Sequence, residues 1–232
     1  MIGIVIPTYN ESENLENLVN QILKLDLPVT IIIVDDNSPD RTGEIADRLA
    51  ASYSQIKVIH RQAKLGLGTA YKAGFDFALK AKLDHVLTMD ADFSHHPSFI
   101  PDIIKYCDSY DIVIGSRYVE NGTTTNFGLH RKFISRSANF FAHWILGMTV
   151  NDCTAGFRCY KLDSLKKVPL DKIRSNGYSF LVEMLYYCQK CDLSIKEIPI
   201  NFIAREQGLS KISKKEIFNA LKTIFRLKWQ HF

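Results

Sequence analysis

Two carboxylates stand two residues apart, directly after an apolar run, in the stretch from Leu83 to Pro97, which reads LDHVLTMDADFSHHP. The run Val86–Met89 predicts a short buried strand, and Asp90 and Asp92 follow where that strand ends. Ionised carboxylates are costly in water-poor surroundings unless they are paired or bound to a cation. Carboxylate oxygens that leave room for phosphates and water suit Mg²⁺ or Mn²⁺. A solvated turn is the other interpretation, because Asp is a common turn residue.

The first half of the chain shows strands that alternate with helices. Apolar runs predict strands at 1–7, 29–34, 56–60, 86–90 and 111–115, and a later one at 195–203. Amphipathic stretches between the first five predict helices. This alternation is typical of βαβ units, whose strands lie parallel in one sheet. We therefore predict an α/β fold with a mostly parallel, doubly wound sheet.

Polar side chains collect where these predicted strands end, which is where ligands bind to doubly wound sheets. The pairs are Tyr9 with Glu11, Asp35 with Asp36, Asp90 with Asp92, and Ser116 with Arg117. Their convergence predicts a binding site at one edge of the sheet. The first predicted turn has no G-x-G-x-x-G and the chain has no P-loop pattern, which disfavours dinucleotide and P-loop sites.

A basic helix in the second half offers a site for an anion. It follows a polar stretch at 120–130, which we expect to be a mobile loop. Arg131, Ser135 and Asn139 are spaced four apart, so they share one face of the predicted helix. With Arg117 nearby, that face could hold a phosphate. An ordinary surface helix with solvated charges is the alternative.

The C-terminal segment carries most of the positive charge. The formal net charge is +4, and from Arg205 onward there are seven Lys and Arg residues but only two Glu residues. This excess predicts an anionic partner. The segment begins with a polar loop that contains Arg205 and Lys211, and Ser213 then starts a capping-box pattern that predicts a helix. We assign 1–212 to one domain and 213–232 to a basic amphipathic helix that packs on this domain or faces a membrane.

The composition fits a globular protein of the cytoplasm. Of 232 residues 46% are hydrophobic, but apolar runs such as Val29–Val34 are far shorter than a membrane span. The N-terminus lacks the basic region and apolar stretch of a secretory signal. Five cysteines, an odd number, favour reduced thiols. Cys188 and Cys191 have the spacing of a zinc or redox pair, but they lie in an apolar-periodic stretch, so we interpret them as buried helix residues.

Six motifs, in this order, resemble those of family 2 glycosyltransferases. They are PTYNE at 7–11, VDDNSPD at 34–40, LGLGTAY at 65–71, MDAD at 89–92, GSRY at 115–118 and R-x-x-G-x-S-K at 205–211. The third and sixth motifs, together with the His-His-Pro after the Asp-x-Asp, resemble most closely the catalytic subunits of dolichyl-phosphate mannose synthases. The resemblance extends over nearly the whole chain.

This resemblance implies a GT-A fold and a transfer of mannose from GDP-mannose to dolichyl or another polyprenyl phosphate, with inversion of the anomeric centre. It implies that Asp92 and Arg117 act directly in catalysis. The implied donor contacts are Pro7, Tyr9, Glu11, Val34, Asp36, Asp90, Ala91, Asp92, Arg117, Arg205 and Lys211. The implied contacts of the acceptor phosphate are Arg117, Arg131 and Ser135.

The implied cofactor is a Mg²⁺ or Mn²⁺ ion bound by Asp90 and Asp92. Some relatives have a glutamine two residues after the second aspartate as a third metal ligand, whereas this chain has Ser94, a weaker ligand. His95 could act as a base or a ligand, or could only pack the turn. Because the acceptor phosphate is already an anion, the reaction requires no strong base.

Two alternatives to this function stay open. One is a polyprenyl-phosphate glucosyltransferase that uses UDP-glucose, and the other is a nucleotide-sugar-binding subunit without turnover. The lipid acceptor also implies peripheral attachment to the cytosolic face of a membrane, with a small membrane-anchoring subunit as a candidate partner. We expect no nucleic-acid partner.

Overall fold

The structure is a computed structural model that describes residues 1–204 and 214–229, apart from the side chains of Tyr178 and of residues 214–218. The strands are β1 (Ile2–Thr8), β2 (Val29–Asp35), β3 (Ile56–His60), β4 (His85–Thr88), β5 (Ile112–Ser116), β6 (Thr123–Thr125), β7 (Arg158–Lys161), β8 (Ile195–Pro199) and β9 (Asn201–Ile203). The α-helices are α1 (Leu15–Leu23), α2 (Thr42–Ser52), α3 (Leu67–Lys80), α4 (Ile100–Ile104), α5 (Leu129–Leu146), α6 (Leu162–Leu165), α7 (Tyr178–Lys190) and α8 (Lys214–Trp229). Within these two ranges, no helix combines the length and the apolar character that crossing a membrane requires.

Seven strands form one sheet in the order β3-β2-β1-β4-β7-β5-β8. β1 pairs in parallel with β2 and β4, β2 pairs in parallel with β3, and β5 does so with β8. The predicted mostly parallel α/β sheet is therefore confirmed. The sequence did not predict β7, which lies antiparallel between β4 and β5.

Helices cover both faces of this sheet, so its central strands are buried on both sides. Ile4 and Ile6 of β1 pack into one core with α1, α2 and α4. Val5 packs into the other core with α3, α7 and α8. Burial on both faces explains why β1 and β2 show continuous apolar runs instead of alternating ones.

A glycine allows α3 to lie close to β1. A Cβ atom at Gly74 would lie 2.4 Å from Cγ1 of Val5, so a larger residue would push the helix away from the sheet. This close packing places the N-terminal end of α3 beside the end of β2. There the backbone N–H of Gly66 donates a hydrogen bond to Asp36 at 3.1 Å.

Two segments differ from the sequence-based expectation. The polar stretch 120–130, predicted to be a loop, contains β6, which pairs in parallel with β9 in a separate two-stranded sheet. The single strand predicted at 195–203 is divided at Ile200 into β8 and β9. The chain changes sheets at this residue: the Ile200 N–H donates to the carbonyl of Ser116 at 3.0 Å, and its carbonyl accepts from Thr123 at 2.9 Å.

The cysteines of α7 are thiols buried to different degrees. Cys188 is buried within the helix, and Cys191 is half-buried at its C-terminal end. Burial raises the pKa of the Cys188 thiol to about 12, so this thiol stays protonated at neutral pH. The interpretation as buried helix residues is therefore confirmed for Cys188, whereas Cys191 follows the last residue of α7 and is only half-buried.

Candidate active site

A cavity of about 620 Å³ lies at the carboxyl ends of β1, β2 and β4. Seven residues of the expected donor and metal site line it: Pro7, Tyr9, Glu11, Asp36, Asp90, Ala91 and Asp92. The register explains their convergence, because the parallel pairing brings Thr8 beside Asp35 where β1 and β2 end. Val34 is fully buried in β2 and is not among the lining residues, so its contact with the donor stays a prediction.

The turn that carries Asp90 and Asp92 is fixed by neutral groups around it. Nδ1 of His95 accepts the backbone N–H of Asp90 at 3.1 Å. Ser94 donates its hydroxyl and its backbone N–H to Oδ1 of Asp92, the N–H at 3.1 Å. From α3, the hydroxyl of Tyr71 donates to Asp90 at 3.4 Å. Both carboxylates are thus held at the cavity wall by surrounding hydrogen bonds.

His95 is the buried support of this turn. Its ring stacks on Phe157 at 5.1 Å between centroids and meets Phe202 edge-on at 5.7 Å. Burial lowers the pKa of His95, although the charges of Asp90 and Asp92 oppose this. A neutral ring whose Nδ1 accepts a hydrogen bond carries its proton on Nε2. The geometry therefore favours turn packing over a role as general base.

Another part of the cavity wall combines a carboxylate with an aromatic ring. Asp36 lies 2.8 Å from Arg61 and accepts the Gly66 N–H at 3.1 Å. Burial raises the pKa of Asp36, and this effect exceeds the lowering by Gly66 and Arg61. Lys64 lies over the ring of Tyr9, with Nζ 3.9 Å from the centroid. Hydrogen-bond acceptors beside an aromatic face suit the base and the ribose of a nucleoside.

Arg117 follows β5 and forms a buried ion pair with Asp152. Its Nε and Nη2 atoms donate to the two carboxylate oxygens of Asp152, each at 2.7 Å. Its backbone N–H also donates to this carboxylate, at 3.1 Å. Asp152 is fully buried. Burial alone would raise the pKa of this carboxyl, but the charge and hydrogen bonds of Arg117 hold the pKa below its usual value. Asp152, which the sequence analysis did not single out, therefore fixes the orientation of the Arg117 guanidinium.

Thr154 connects Arg117 with α5. Its hydroxyl oxygen accepts a hydrogen bond from Nη2 of Arg117 at 2.6 Å and lies 3.5 Å from the hydroxyl of Ser135. One helical turn before Ser135, the guanidinium of Arg131 lies over the ring of Phe127 at 5.2 Å. The buried Nε of Arg131 has no hydrogen-bond partner among the described residues. The structure thus brings Arg117 and Ser135 together through Thr154, and the role of Arg131 at the acceptor phosphate stays a prediction.

Asn139, the last member of the predicted helix face, has a structural role. Its side-chain oxygen accepts the backbone N–H of Cys153 at 2.7 Å, and its amide donates to the carbonyl of Ser135 at 3.0 Å. The residue is buried. It therefore fastens α5 to the segment that carries Asp152 and Thr154.

Two further segments line the cavity, and neither was predicted from the sequence to lie there. One is the loop from Arg174 to Gly177 before α7. The other is α8, which contributes Asn219, Lys222, Thr223 and Arg226. Their spacing of i, i+3, i+4 and i+7 is that of one helix face, a signal that the sequence contained. Arg205 and Lys211 lie outside the described residues, so their roles as phosphate ligands stay predictions.

The turn with Asp90 and Asp92 offers oxygen donors for a divalent cation. Among the described residues, no group of three or more His, Cys, Asp or Glu side chains could hold a metal ion. The hydroxyl of Ser94 already donates to Asp92, and its role as a third ligand stays a prediction. Mg²⁺ is commonly held by one or two carboxylates, with substrate phosphates and water as its other ligands. The residues present fit an ion shared between the protein and a diphosphate.

Comparison with known proteins identifies the family. The profile described as Glycosyl transferase family 2 matches residues 3–168, which is more than half of the chain. The chain belongs to this family. This family 2 glycosyltransferase is 40% identical over 220 residues to "Polyprenol monophosphomannose synthase" of Mycolicibacterium smegmatis, covering 94% of this chain and 83% of the relative. It is 39% identical over 222 residues to "Undecaprenyl-phosphate mannosyltransferase" of Micrococcus luteus, covering 96% and 91%.

Solved structures with the same architecture confirm the fold. Glucosyl-3-phosphoglycerate synthase from Mycobacterium tuberculosis superposes with a TM-score of 0.69 at 19% identity, covering 98% of this chain and 79% of that chain. The mannosyltransferase PcManGT from Pyrobaculum calidifontis, in complex with GDP-Man and Mn²⁺, superposes with a TM-score of 0.58 at 13% identity, covering 97% and 73%. At such identities the likeness shows the fold alone. The glycosyltransferase therefore has the predicted GT-A fold.

Proposed function

We propose that this glycosyltransferase moves mannose from GDP-mannose to a polyprenyl phosphate such as dolichyl phosphate, and that it inverts the anomeric carbon. The names of the two relatives near 40% identity support the sugar and the class of lipid. The observation that carries the proposal is the pairing of two sites: carboxylates on a cavity wall, and a basic group built on Arg117. One suits a nucleotide diphosphate with its metal, and the other suits a second phosphate.

Two aromatic contacts connect these sites. His95 holds the backbone of Asp90, and its ring meets Phe202 at 5.7 Å. The guanidinium of Arg117 lies over the same Phe202 ring at 5.1 Å. In the proposal, the donor diphosphate binds on the carboxylate side and the acceptor phosphate on the arginine side. A sugar between two phosphates is then positioned for direct transfer.

The donor base is proposed to be guanine on chemical grounds. Glu11, which is buried, and Asp36 both line the cavity near Tyr9. Guanine presents N1–H and N2–H₂ donors side by side, and a carboxylate can accept both. Uracil has only one N–H on the corresponding edge. The cavity volume of about 620 Å³ lies within the range of sites for molecules of this size.

The transfer itself requires no proton to be removed. A non-bridging oxygen of the acceptor phosphate attacks C1 of mannose, while the bond from C1 to the diphosphate oxygen breaks and GDP leaves with the electron pair. Arg117 and Arg131 bind and orient the attacking anion. Asp90 and Asp92 would hold a divalent ion, which would neutralise negative charge on the leaving diphosphate. This chemistry agrees with a neutral, structural His95.

An aromatic surface supports the proposed attachment to the membrane that holds the acceptor. Four side chains on one face of α5 are 63–87% exposed: Leu129, Phe133, Phe140 and Trp144. On α8, which packs against α5, Phe225 is 54% exposed and Trp229 is 81% exposed. Large exposed apolar patches mark binding surfaces, and aromatic residues favour the boundary of a bilayer. We propose that these two helices lie on the cytosolic face, with or without a small anchoring subunit.

The described part of α8 divides its apolar residues between the core and the surface. Ile224 and Leu227 are buried and belong to the core that contains α3 and α7. Phe225 and Trp229 are exposed. The buried residues of α8 support the interpretation that this helix packs on the domain. Its exposed apolar residues support the interpretation that it also faces a membrane.

The proposal is tested by transfer of radiolabelled sugar into an organic-soluble lipid. Purified protein is incubated with liposomes that contain polyprenyl phosphate, with MgCl₂ or MnCl₂, and with labelled GDP-mannose or UDP-glucose. We expect label in the lipid from GDP-mannose, and a loss of about 10²–10³ in rate for Asp92→Asn. The matched control is Asp163→Asn, which changes an exposed carboxylate outside the cavity. Preferential transfer from UDP-glucose, or no transfer from either donor, would contradict the proposal.

A further inference from the structure

The polar face of α8 faces the donor cavity. Asn219, Lys222, Thr223 and Arg226 all line it, together with Arg174 and Ser175 from the loop before α7. Lys228, on the same helix, is exposed and does not line the cavity. Among the cations of α8 whose side chains the structure describes, Lys222 and Arg226 line the cavity and Lys228 does not.

A buried carboxylate fastens this face in position. Glu183 of α7 is fully buried and forms an ion pair with Arg226 at 2.6 Å. The same carboxylate accepts the backbone N–H groups of Arg174 and Ser175 at 3.3 and 2.8 Å. The hydroxyls of Ser175 and Thr223 are 2.9 Å apart. Glu183 therefore joins α7, the loop and α8 at one point beside the cavity.

The other described cations of the cavity wall are Arg226, Lys64 and Arg174. Arg226 is paired with Glu183, Lys64 lies against the ring of Tyr9, and Arg174 belongs to the loop before α7 and not to α8. Within the described part of the chain, no carboxylate forms an ion pair with Lys222. A diphosphate brings negative charge into a cavity that already contains Asp90 and Asp92 on its wall. A cation without an acidic partner is the group that this charge would attract.

We propose that Lys222 binds a phosphate of the nucleotide-sugar donor, and that the Arg226–Glu183 pair is the positioning device that holds α8 for this contact. This inference rests on the proposed function, because it assumes a nucleoside diphosphate in the cavity. Lys222 is then a further donor-binding residue outside the motifs that resemble the family's.

The test measures binding by calorimetry with MnCl₂ and without acceptor or membrane, so that it does not depend on transfer. GDP, GMP and guanosine are titrated into wild-type protein, Lys222→Met and the matched control Lys228→Met. We expect Lys222→Met to weaken GDP binding by about 10- to 100-fold, the range for a charged hydrogen bond, and to leave guanosine binding unchanged. Lys228→Met should bind all three ligands as the wild type does.

Glu183→Gln tests the positioning role. In a variant whose circular dichroism spectrum is native, we expect weaker GDP binding with unchanged guanosine binding, because Arg226 no longer fixes α8. Equal GDP affinity in Lys222→Met and wild type would overturn the inference. If the wild type binds UDP and not GDP, the proposed donor is wrong, and the same comparison with UDP, UMP and uridine decides the role of Lys222. Binding of neither diphosphate would overturn both proposals.

Discussion

Removal of the negative charge of Asp152 is expected to destabilise the protein and to impair the acceptor site. Asp152 is fully buried and accepts three hydrogen bonds from Arg117, two of them at 2.7 Å. In Asp152→Asn the shape is retained, but Arg117, a residue that is 9% exposed, loses its counter-charge. An uncompensated buried charge is far more costly than an exposed one. The side chain must then rearrange towards solvent or stay buried at a cost in stability.

The expected magnitude follows from the burial of both partners. Removing one member of a buried ion pair costs about 3–5 kcal/mol. In a protein of this size each kcal/mol corresponds to about 2–4 °C in Tm, so we expect a decrease of about 6–20 °C by calorimetry at pH 7. Because the folded-state pKa of Asp152 is below its unfolded value, this contribution is present above pH 4 and is lost as the pH falls further. The difference in Tm should therefore shrink in acid.

Two further variants separate this ion pair from general effects. Asp163→Asn removes an exposed carboxylate paired with Lys166, and we expect little change in Tm because surface ion pairs contribute little. Arg117→Met combined with Asp152→Asn should recover part of the lost stability, because no unpaired charge remains buried. A Tm for Asp152→Asn equal to that of Asp163→Asn would refute this reasoning.

The same contacts predict the behaviour of three other sites. His95→Leu removes the acceptor for the Asp90 N–H, so it should lower the free energy of unfolding by about 1–3 kcal/mol in urea titrations and should also reduce sugar transfer. His95→Asn keeps an acceptor and should therefore lose less stability and less transfer activity than His95→Leu. Arg131→Ala should raise the KM for polyprenyl phosphate about tenfold and leave the KM for the donor unchanged, and equal changes in both constants would speak against an acceptor role. Phe133→Ser with Trp144→Ser should reduce sedimentation with anionic liposomes without loss of Tm, and unchanged sedimentation would remove α5 from the membrane surface.

The strands of the sheet were predictable where burial alone determines the pattern. β1 and β2 are covered on both faces, so their sequences are continuous apolar runs that stand out from their surroundings. β7 has only four residues, RCYK, and two of them are cations. Its Arg158 is fully buried because carbonyl oxygens of Cys153 and Leu181 accept its hydrogen bonds, at 2.8 and 2.9 Å. Local periodicity cannot show such long-range partners.

The candidate site was predictable to the extent that its residues follow strands. Asp36, Asp90 and Asp92 come directly after apolar runs, and the topology brings such positions together. Asp152 is 35 residues from Arg117 in the sequence, and only the folded chain shows that they pair. Glu183 offered one signal, since it is an acidic residue within the apolar pattern of α7. A buried charge of that kind requires a partner, but the sequence did not identify Arg226.

The most direct test of the proposed mannosyl transfer traces the sugar and the β-phosphate of the same donor molecule with two radioactive labels. GDP-mannose carrying tritium in the sugar and ³²P in the β-phosphate is incubated with the purified protein, MnCl₂ and polyprenyl phosphate in liposomes, and the lipid is extracted. Transfer by attack of the acceptor phosphate on C1 predicts tritium in the lipid, with ³²P remaining in the aqueous phase as GDP in equal amount. Both labels in the lipid would mean transfer of the sugar together with its phosphate. That result, or the absence of both labels from the lipid, would contradict the proposed mannosyl transfer.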